Sequence, residues 1–406
     1  MDQMLWIGCL ESDEEFIIKA GKGSDLASAQ VSQKNLVTGL EQLSGAVFDS
    51  INGSVLPPFP VYKERIIEPV VWSHSNGSFD ISVGYKNDKY INRVNCKSAM
   101  RKAAVKWCSE RYKGGGLTVF VYSMRSAPMA AACEIKKRIP NAKIYLIVTD
   151  LPQFMDLGQS KVKAFLKSLD WKFIKKMQKQ FDGFILYATK MAEFLKIPDG
   201  RWLLIEGSYD KAEEIAVDEA EKKNAVMYSG TLDEQYGIKM LVDAFMQLED
   251  SDTELWLTGG GNSEEYIKLC AKNDARIKFF GFLPSRKDVL IKQQQSSLLV
   301  NMRLPSEKAS DYCFPSKLFE YMATGVPVLS FRIGGIPEEY YPYLYIINDE
   351  STASVAARIK EIMKSEKTDR EALGQQAKAF ILREKTLKMQ CSKIIEFIRK
   401  QQANDE

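Results

Sequence analysis

The chain is poor in the residues that most catalytic and metal sites need. It has one histidine, His74, in 406 residues. A histidine-rich metal site and a Ser-His-Asp triad elsewhere in the chain are therefore both excluded. Its seven cysteines (9, 96, 108, 133, 270, 313 and 391) are scattered, odd in number and form no CxxC pair. That pattern leads us to expect a reduced, cytoplasmic protein without a disulfide framework. No apolar run approaches the roughly 20 residues that span a bilayer. The opening MDQMLWIGCLESDEEF has no basic leader, and acids follow its short apolar run, so a secretory signal is not expected. Net charge is only +3, and no recognised motif accompanies the lysines, which argues against a nucleic-acid-binding protein.

What is present is alternation. Strand-like runs MLWIGCL, LTVFVYS, KIYLIVTD and FDGFILYA alternate with helical patterns such as 127–138 and 161–180. The polar stretch AGKGSDLASAQ reads as a loop and 31–43 as a helix. The pattern fades in SYDKAEEIAVDEAEKKN and restarts with AVMYSG, ELWLTGG, IKFFGF, SLLVNM and VPVLSF. The length exceeds a single ordinary core. We expect an α/β protein of two doubly wound parallel-sheet domains, residues 1–205 and 206–385, followed by helices near 369–383 and 386–401.

One stretch of the second half carries chemistry. In FPSKLFEYMATGVPVLSFRIGGIPEE, Lys317 and Glu320 sit in the first turns of a helix-like run otherwise apolar. The preceding strand ends near Arg303, and ligands of open parallel sheets lie beyond such strand ends. Backbone N–H groups at Ser316 and Lys317, with the Lys317 amine, suit an anion. Glu320, a turn further in, could accept two hydroxyl hydrogens. Phosphate at the helix end and a diol behind it describe a nucleotide. The competing reading is a surface lysine and a glutamate favouring the helix dipole.

The same stretch resembles the nucleotide-sugar site of retaining glycosyltransferases of the GT-B fold, family 4. Glu320-Tyr-Met-Ala-Thr-Gly-Val-Pro-Val and Gly334-Gly335-Ile-Pro337-Glu338 carry the likeness. AVMYSGTLDEQYGIKMLVDAF, LWLTGGGNSEEY and IKFFGFLP extend it over the second domain. The resemblance implies two Rossmann-like domains facing a cleft, with the C-terminal helix, about 386–406, expected to return to the first. It implies transfer from a nucleoside-diphosphate sugar, UDP favoured, with retained configuration and without a metal or other cofactor. The family's turn carries an arginine and a lysine for the diphosphate. Here Gly230, Thr231 and Leu232 occupy the turn and Tyr236-Gly237 the Lys-Gly position, so Arg303 and Lys317 are the natural replacements, with Lys239 weaker. The resemblance puts the backbone of Phe282 and Leu283 where the base is held. By the same resemblance Tyr312 stands where the family has its first glutamate, so that either Asp311 or Glu307 is the substitute or the sugar is held differently. Asp150, at the end of a first-domain strand, is the candidate contact to sugar or acceptor; a turn residue before Pro152 is the alternative. The loop Gly21–Ser28 is read either as facing the cleft or as a plain turn.

Asn92–Tyr112 and Lys161–Phe181 are basic and amphipathic, with apolar residues such as Met100, Trp107, Phe165 and Phe173 interleaved among arginines and lysines. Both suit an anionic membrane surface; ordinary helices with an apolar stripe on the sheet are the alternative. The expected acceptor is a glycan or lipid-linked sugar of capsule, exopolysaccharide or O-antigen assembly at the inner face of the cell membrane. Two other readings remain: a nucleotide-sugar epimerase or hydrolase of the same fold, and a non-catalytic nucleotide-binding partner subunit. GKGS at 21–24 lacks the spacing of a P-loop. Asp250-Ser-Asp252 precedes a strand and reads as a solvated loop rather than a metal clamp. His74 reads as a surface loop residue, with an acceptor contact as the alternative.

Overall fold

The computed structural model describes residues 2–21, 27–154, 161–209 and 221–403. Most of the loop expected to face the cleft, and most of the expected linker, lie outside the described residues. Two compact units result: residues 1–187, 191–205 and 390–406, and residues 188–190 and 206–389.

The first unit is built on β1 (Gln3–Gly8), β2 (Phe48–Asn52), β3 (Ile66–Ile67), β4 (Val70–Trp72), β5 (Asp80–Ser82), β6 (Tyr85–Lys86), β7 (Leu117–Tyr122), β8 (Lys143–Val148), β9 (Gly183–Leu186) and β10 (Trp202–Leu204). Eight of these form one sheet in the order β10-β9-β8-β7-β1-β2-β5-β4, and β3 pairs with β6 in a separate antiparallel ribbon. Only β4 runs antiparallel within the large sheet. The central strands are buried along their length, which is why they read as unbroken apolar runs. Helices α1 (Asp13–Gly21), α2 (Ala27–Ser44), α3 (Asn92–Glu110), α4 (Ser126–Arg138), α5 (Lys161–Gln178) and α6 (Lys190–Leu195) connect them. The stretch read as one loop therefore begins and ends in helix. The acids Asp13, Glu14 and Glu15 fill the first turn of α1, where the dipole favours them.

The second unit holds β11 (Ala225–Ser229), β12 (Glu254–Thr258), β13 (Ile277–Gly281), β14 (Leu298–Asn301), β15 (Val328–Phe331) and β16 (Tyr345–Ile347). All run parallel in the order β13-β12-β11-β14-β15-β16. Helices α7 (Ile238–Met246), α8 (Glu264–Asn273), α9 (Arg286–Gln295), α10 (Lys317–Ala323), α11 (Thr352–Lys364) and α12 (Lys367–Glu384) cover it. Parallel order puts every strand's C-terminal end on one rim, so Gly230, Gly259, Phe282, Arg303 and Gly334 follow strands that end together. The last helix, α13 (Leu387–Ala403), belongs to the first unit from Gln390 onward. There Cys391, Ile394 and Phe397 are buried, and the Phe397 ring meets Tyr145 edge-on at 6.2 Å.

Near the boundary of the second unit, Lys385 is 2% exposed and donates to Glu206 at 2.7 Å and Glu339 at 2.6 Å. Tyr209 and Thr386 bridge in parallel beside it. Among the described residues no helix is long and apolar enough to cross a membrane.

Candidate nucleotide site

The site is set by two glycines and a lysine. Gly230 follows β11 with φ +129°, and a Cβ there would stand 1.9 Å from Lys317 Nζ. Gly259 follows β12 with φ +123°, and a Cβ there would stand 1.9 Å from the Gly230 carbonyl oxygen. Only glycine allows both the left-handed backbone and these approaches. The lysine thus fills the space a side chain at 230 would take. Its amine donates to Tyr228 Oη at 3.0 Å and lies 4.5 Å from that ring's centroid.

Lys317 opens α10, a seven-residue helix, with Ser316 before it. Pro315 sits just outside the N-cap, two residues before the first helical position, and its carbonyl accepts from Leu318 N at 2.8 Å. The Ser316 side chain makes no capping bond. Burial lowers the Lys317 pKa from 10.5 to about 8; the nearby Glu320 opposes the shift and Arg303 adds to it. An amine held at such a value is poised to gain from an anion.

Glu320 is fixed from two sides. Gln293 Nε2 donates to its Oε1 at 2.6 Å, and Arg286 Nη2 approaches its Oε2 at 3.2 Å. The same Gln293 amide, with no exposed surface, donates to Ser229 Oγ at 2.9 Å. Tyr321 Oη accepts from Ser229 N at 2.9 Å and donates to Ser229 O at 3.0 Å, pinning α10 to the end of β11. Tyr228, Ser229, Tyr321, Arg286 and Gln293 were all missed at the level of sequence. A signal existed for the last two. They lie seven apart on α9 and so share a face, and Ser285 caps that helix, its Oγ accepting from Asp288 N and donating to the Asp288 carboxylate.

The remaining expected residues occupy the same rim of the second unit. Gly237, at φ +73°, seats the start of α7 against the Met302 carbonyl, and Arg303 lies over the Tyr236 ring at 5.8 Å. Thr231 accepts from Tyr228 Oη at 2.8 Å through its carbonyl. Phe282 is 83% exposed with its ring against Gly260, and Leu283 follows it. Asp311 accepts from Lys190, of the same unit, at 2.7 Å. Tyr312 follows a short 3-10 turn, Lys308–Asp311, and Gly335 N donates back to Ser310 O at 2.8 Å.

Four other residues singled out in the sequence are placed by the fold, and for one of them, His74, the expectation changes. Lys239 pairs with Glu234 at 2.8 Å and lies over Tyr266. Asp250 Oδ2 accepts from Thr253 in an exposed loop ahead of β12, in keeping with the solvated loop expected there. His74 is part-buried rather than free at the surface: it bridges Asp80 at 2.7 Å and Glu41 at 3.1 Å. Burial alone would lower its pKa, but the two carboxylates outweigh burial and raise it to about 9. Asp150 follows β8 in the first unit, where its charge raises the pKa values of Tyr122 and Tyr187, whose shifts come mainly from burial. Among the described residues no group of three or more His, Cys, Asp or Glu side chains is placed to hold a metal ion.

The paired Rossmann-like parallel sheets are those of the GT-B fold. Residues 210–380 match the family model described as glycosyl transferases group 1. No curated protein matches the chain in sequence. Among solved structures, sucrose-phosphate synthase from Thermosynechococcus elongatus superposes with a TM-score of 0.69 at 16% identity, covering 99% of this chain and 100% of that one. HepE of Anabaena in complex with UDP gives 0.65 at 11% identity, covering 98% and 100%. The lipopolysaccharide outer core galactosyltransferase WaaB gives 0.63 at 12% identity, covering 98% and 99%.

Proposed function

We propose that this protein is a retaining glycosyltransferase. Its donor is a nucleoside-diphosphate sugar, with UDP the favoured nucleotide. Its acceptor is a glycan or lipid-linked sugar of capsule, exopolysaccharide or O-antigen assembly, at the cytoplasmic face of the membrane. The observation that carries the reading is the Lys317 amine, sunk against Gly230 at the rim of a parallel sheet beside a carboxylate held at Glu320. The family match over residues 210–380 and the UDP-bound neighbour support it.

In this reading Glu320 accepts hydrogen bonds from the ribose diol, and the exposed Phe282 ring and Leu283 backbone receive the base. Lys317, the Ser316 backbone and Arg303 face the diphosphate. As the glycosidic bond breaks, negative charge grows on the leaving diphosphate, and fixed positive groups there lower the barrier. Asp311 and Tyr312 contact the donor sugar, and Asp150 the sugar or acceptor. No metal or other cofactor is called on.

A second reading, a nucleotide-binding partner subunit without turnover, is favoured by the engagement of Asp311 with Lys190 and by Tyr312 in the place of a carboxylate. One experiment separates the two. Thermal melts with UDP, GDP, ADP and CMP are followed by release of the stabilising nucleotide from a panel of its nucleotide sugars. A ligand at about 100 times its dissociation constant adds about 2.7 kcal/mol of stability. A nucleotide shift with sugar-nucleotide turnover supports the transferase. A shift without turnover, over a broad acceptor panel, transfers the weight to the partner subunit. No shift with any nucleotide refutes the site.

A further inference from the structure

The first unit carries an exposed apolar surface that its fold leaves uncovered. On α5, Phe165, Leu169 and Phe173 recur every fourth residue and are 63%, 38% and 58% exposed. The opposite side of that helix is satisfied, since Ile174 is 2% exposed and Gln178 donates to the Leu195 carbonyl at 3.0 Å. Alpha-helices normally turn their apolar stripe inward; α5 keeps a second stripe in water.

The surface continues onto α3. Lys97 Nζ lies 5.3 Å from the centroid of the Phe173 ring, joining the two helices. One turn before Lys97, Val94 is 57% exposed, and Tyr90 and Ile91 before it are 59% and 46% exposed. Asn95 donates to the Lys86 carbonyl at 2.8 Å, tying this end of α3 to the β3–β6 ribbon, where Ile66 is 61% exposed. Tyr90 holds φ +73° in a non-glycine residue, a conformation that costs backbone energy. Met100 and Trp107 of α3, expected on this surface from the sequence, point into the core instead, 1% and 2% exposed. The apolar surface is therefore confined to the start of α3.

The rim is basic. Lys63, Lys89, Arg93, Lys172 and Lys176 are exposed around it. Of the acids close by, Asp88 pairs with both Arg65 and Lys86, while Asp170 on α5 and Glu68 after β3 are outnumbered by the five cations. Protruding aromatic and aliphatic side chains ringed by cations match an anionic bilayer, whose interface takes the apolar groups while its headgroups meet the lysines. A large exposed apolar patch on a soluble domain marks an interaction site.

We propose that the surface formed by α5, the start of α3 and the β3–β6 ribbon docks on an anionic lipid bilayer. Phe165, Phe173, Ile91 and Val94 enter the interface. The proposal concerns this surface alone and does not depend on the nucleotide site.

The test is co-sedimentation of the full chain with phosphatidylcholine vesicles with and without about 30% phosphatidylglycerol, a fraction chosen for a strong surface potential. Wild type should pellet with the anionic vesicles. Phe165→Ser with Phe173→Ser should weaken that binding at least tenfold, and Lys172→Glu with Lys176→Glu should weaken it and flatten its salt dependence. These side chains are exposed, so melting curves should stay unchanged. Wild type left in the supernatant, or serine variants that bind as wild type does, would overturn the proposal. So would a concentration-dependent dimer without vesicle binding that the serine pair dissolves, because the surface would then belong to a second copy of the chain.

Discussion

Replacing Lys317 with methionine should stabilise the empty protein while abolishing nucleotide binding. The amine's pKa falls from 10.5 to about 8 on folding, mainly through burial. At about 1.4 kcal/mol per unit, holding the charged form in that site costs up to about 3 kcal/mol at pH 7. Methionine keeps the length of the side chain without the charge. It forfeits the hydrogen bond to Tyr228, about 1 kcal/mol, but leaves Tyr228 donating to the Thr231 carbonyl, so no buried hydroxyl is orphaned. The net gain is about 1–2 kcal/mol, or about 2–8 °C in melting temperature for a domain of this size. The gain must also depend on pH. Between pH 8 and 10.5 the unfolded lysine binds its proton more than the folded one, so wild-type stability rises with pH across that window. By pH 9.5 the wild type recovers about 2 kcal/mol, and the variant's advantage vanishes. His74 contributes the opposite slope, since its raised value of about 9 gives stability present below 6.5 and lost as pH rises through 9. It is common to both proteins and cancels in their difference. Calorimetry at pH 7 and 9.5, with and without UDP, reads all of this. A variant that is less stable than wild type at both pH values, or whose advantage grows with pH, would refute the reasoning.

Gln293→Leu removes the amide that holds Glu320 and Ser229; titration calorimetry should show wild type preferring UDP over 2′-deoxy-UDP and the variant losing about tenfold of that preference, about 1.4 kcal/mol. Equal preference in both proteins would show that Gln293 does not orient the carboxylate. Lys385→Met leaves Glu206, 2% exposed, without its cation, so denaturant unfolding should reveal a loss of about 3–5 kcal/mol. Adding Glu206→Gln should return part of it, and a double variant no better than the single would argue against the ion pair as the cause.

How much of this was legible from the residues follows from what local pattern encodes. Strands buried on both faces must be apolar throughout, so β7, β8, β11 and β14 stood out as runs. The glycines at 230 and 259, and Lys317 with Glu320 at a helix start, are likewise local. Helix α9 was missed because its face toward the sheet is largely polar: Gln293 and Gln294 are buried, and no apolar period marks the helix. The β3–β6 ribbon was missed because its strands are two residues long and pair across a distance no short pattern spans.

The sequence by itself determined that two parallel-sheet layers form and which rim residues are unusual enough to bind a ligand. Tertiary structure alone decided what surrounds them. Lys317 meets Tyr228 across 89 positions, and Gln293 meets Ser229 across 64. Those meetings depend on strand order, which places β11 between β12 and β14 and which short-range periodicity does not carry. The same holds for charge. Nothing near Lys385 in the chain announces that it pairs with Glu206, 179 residues earlier, and is buried. Likewise, only packing shows that Met100 turns inward while Phe173, equally apolar, stays in water. Burial, not composition, sets both the amine's lowered pKa and the surface left exposed.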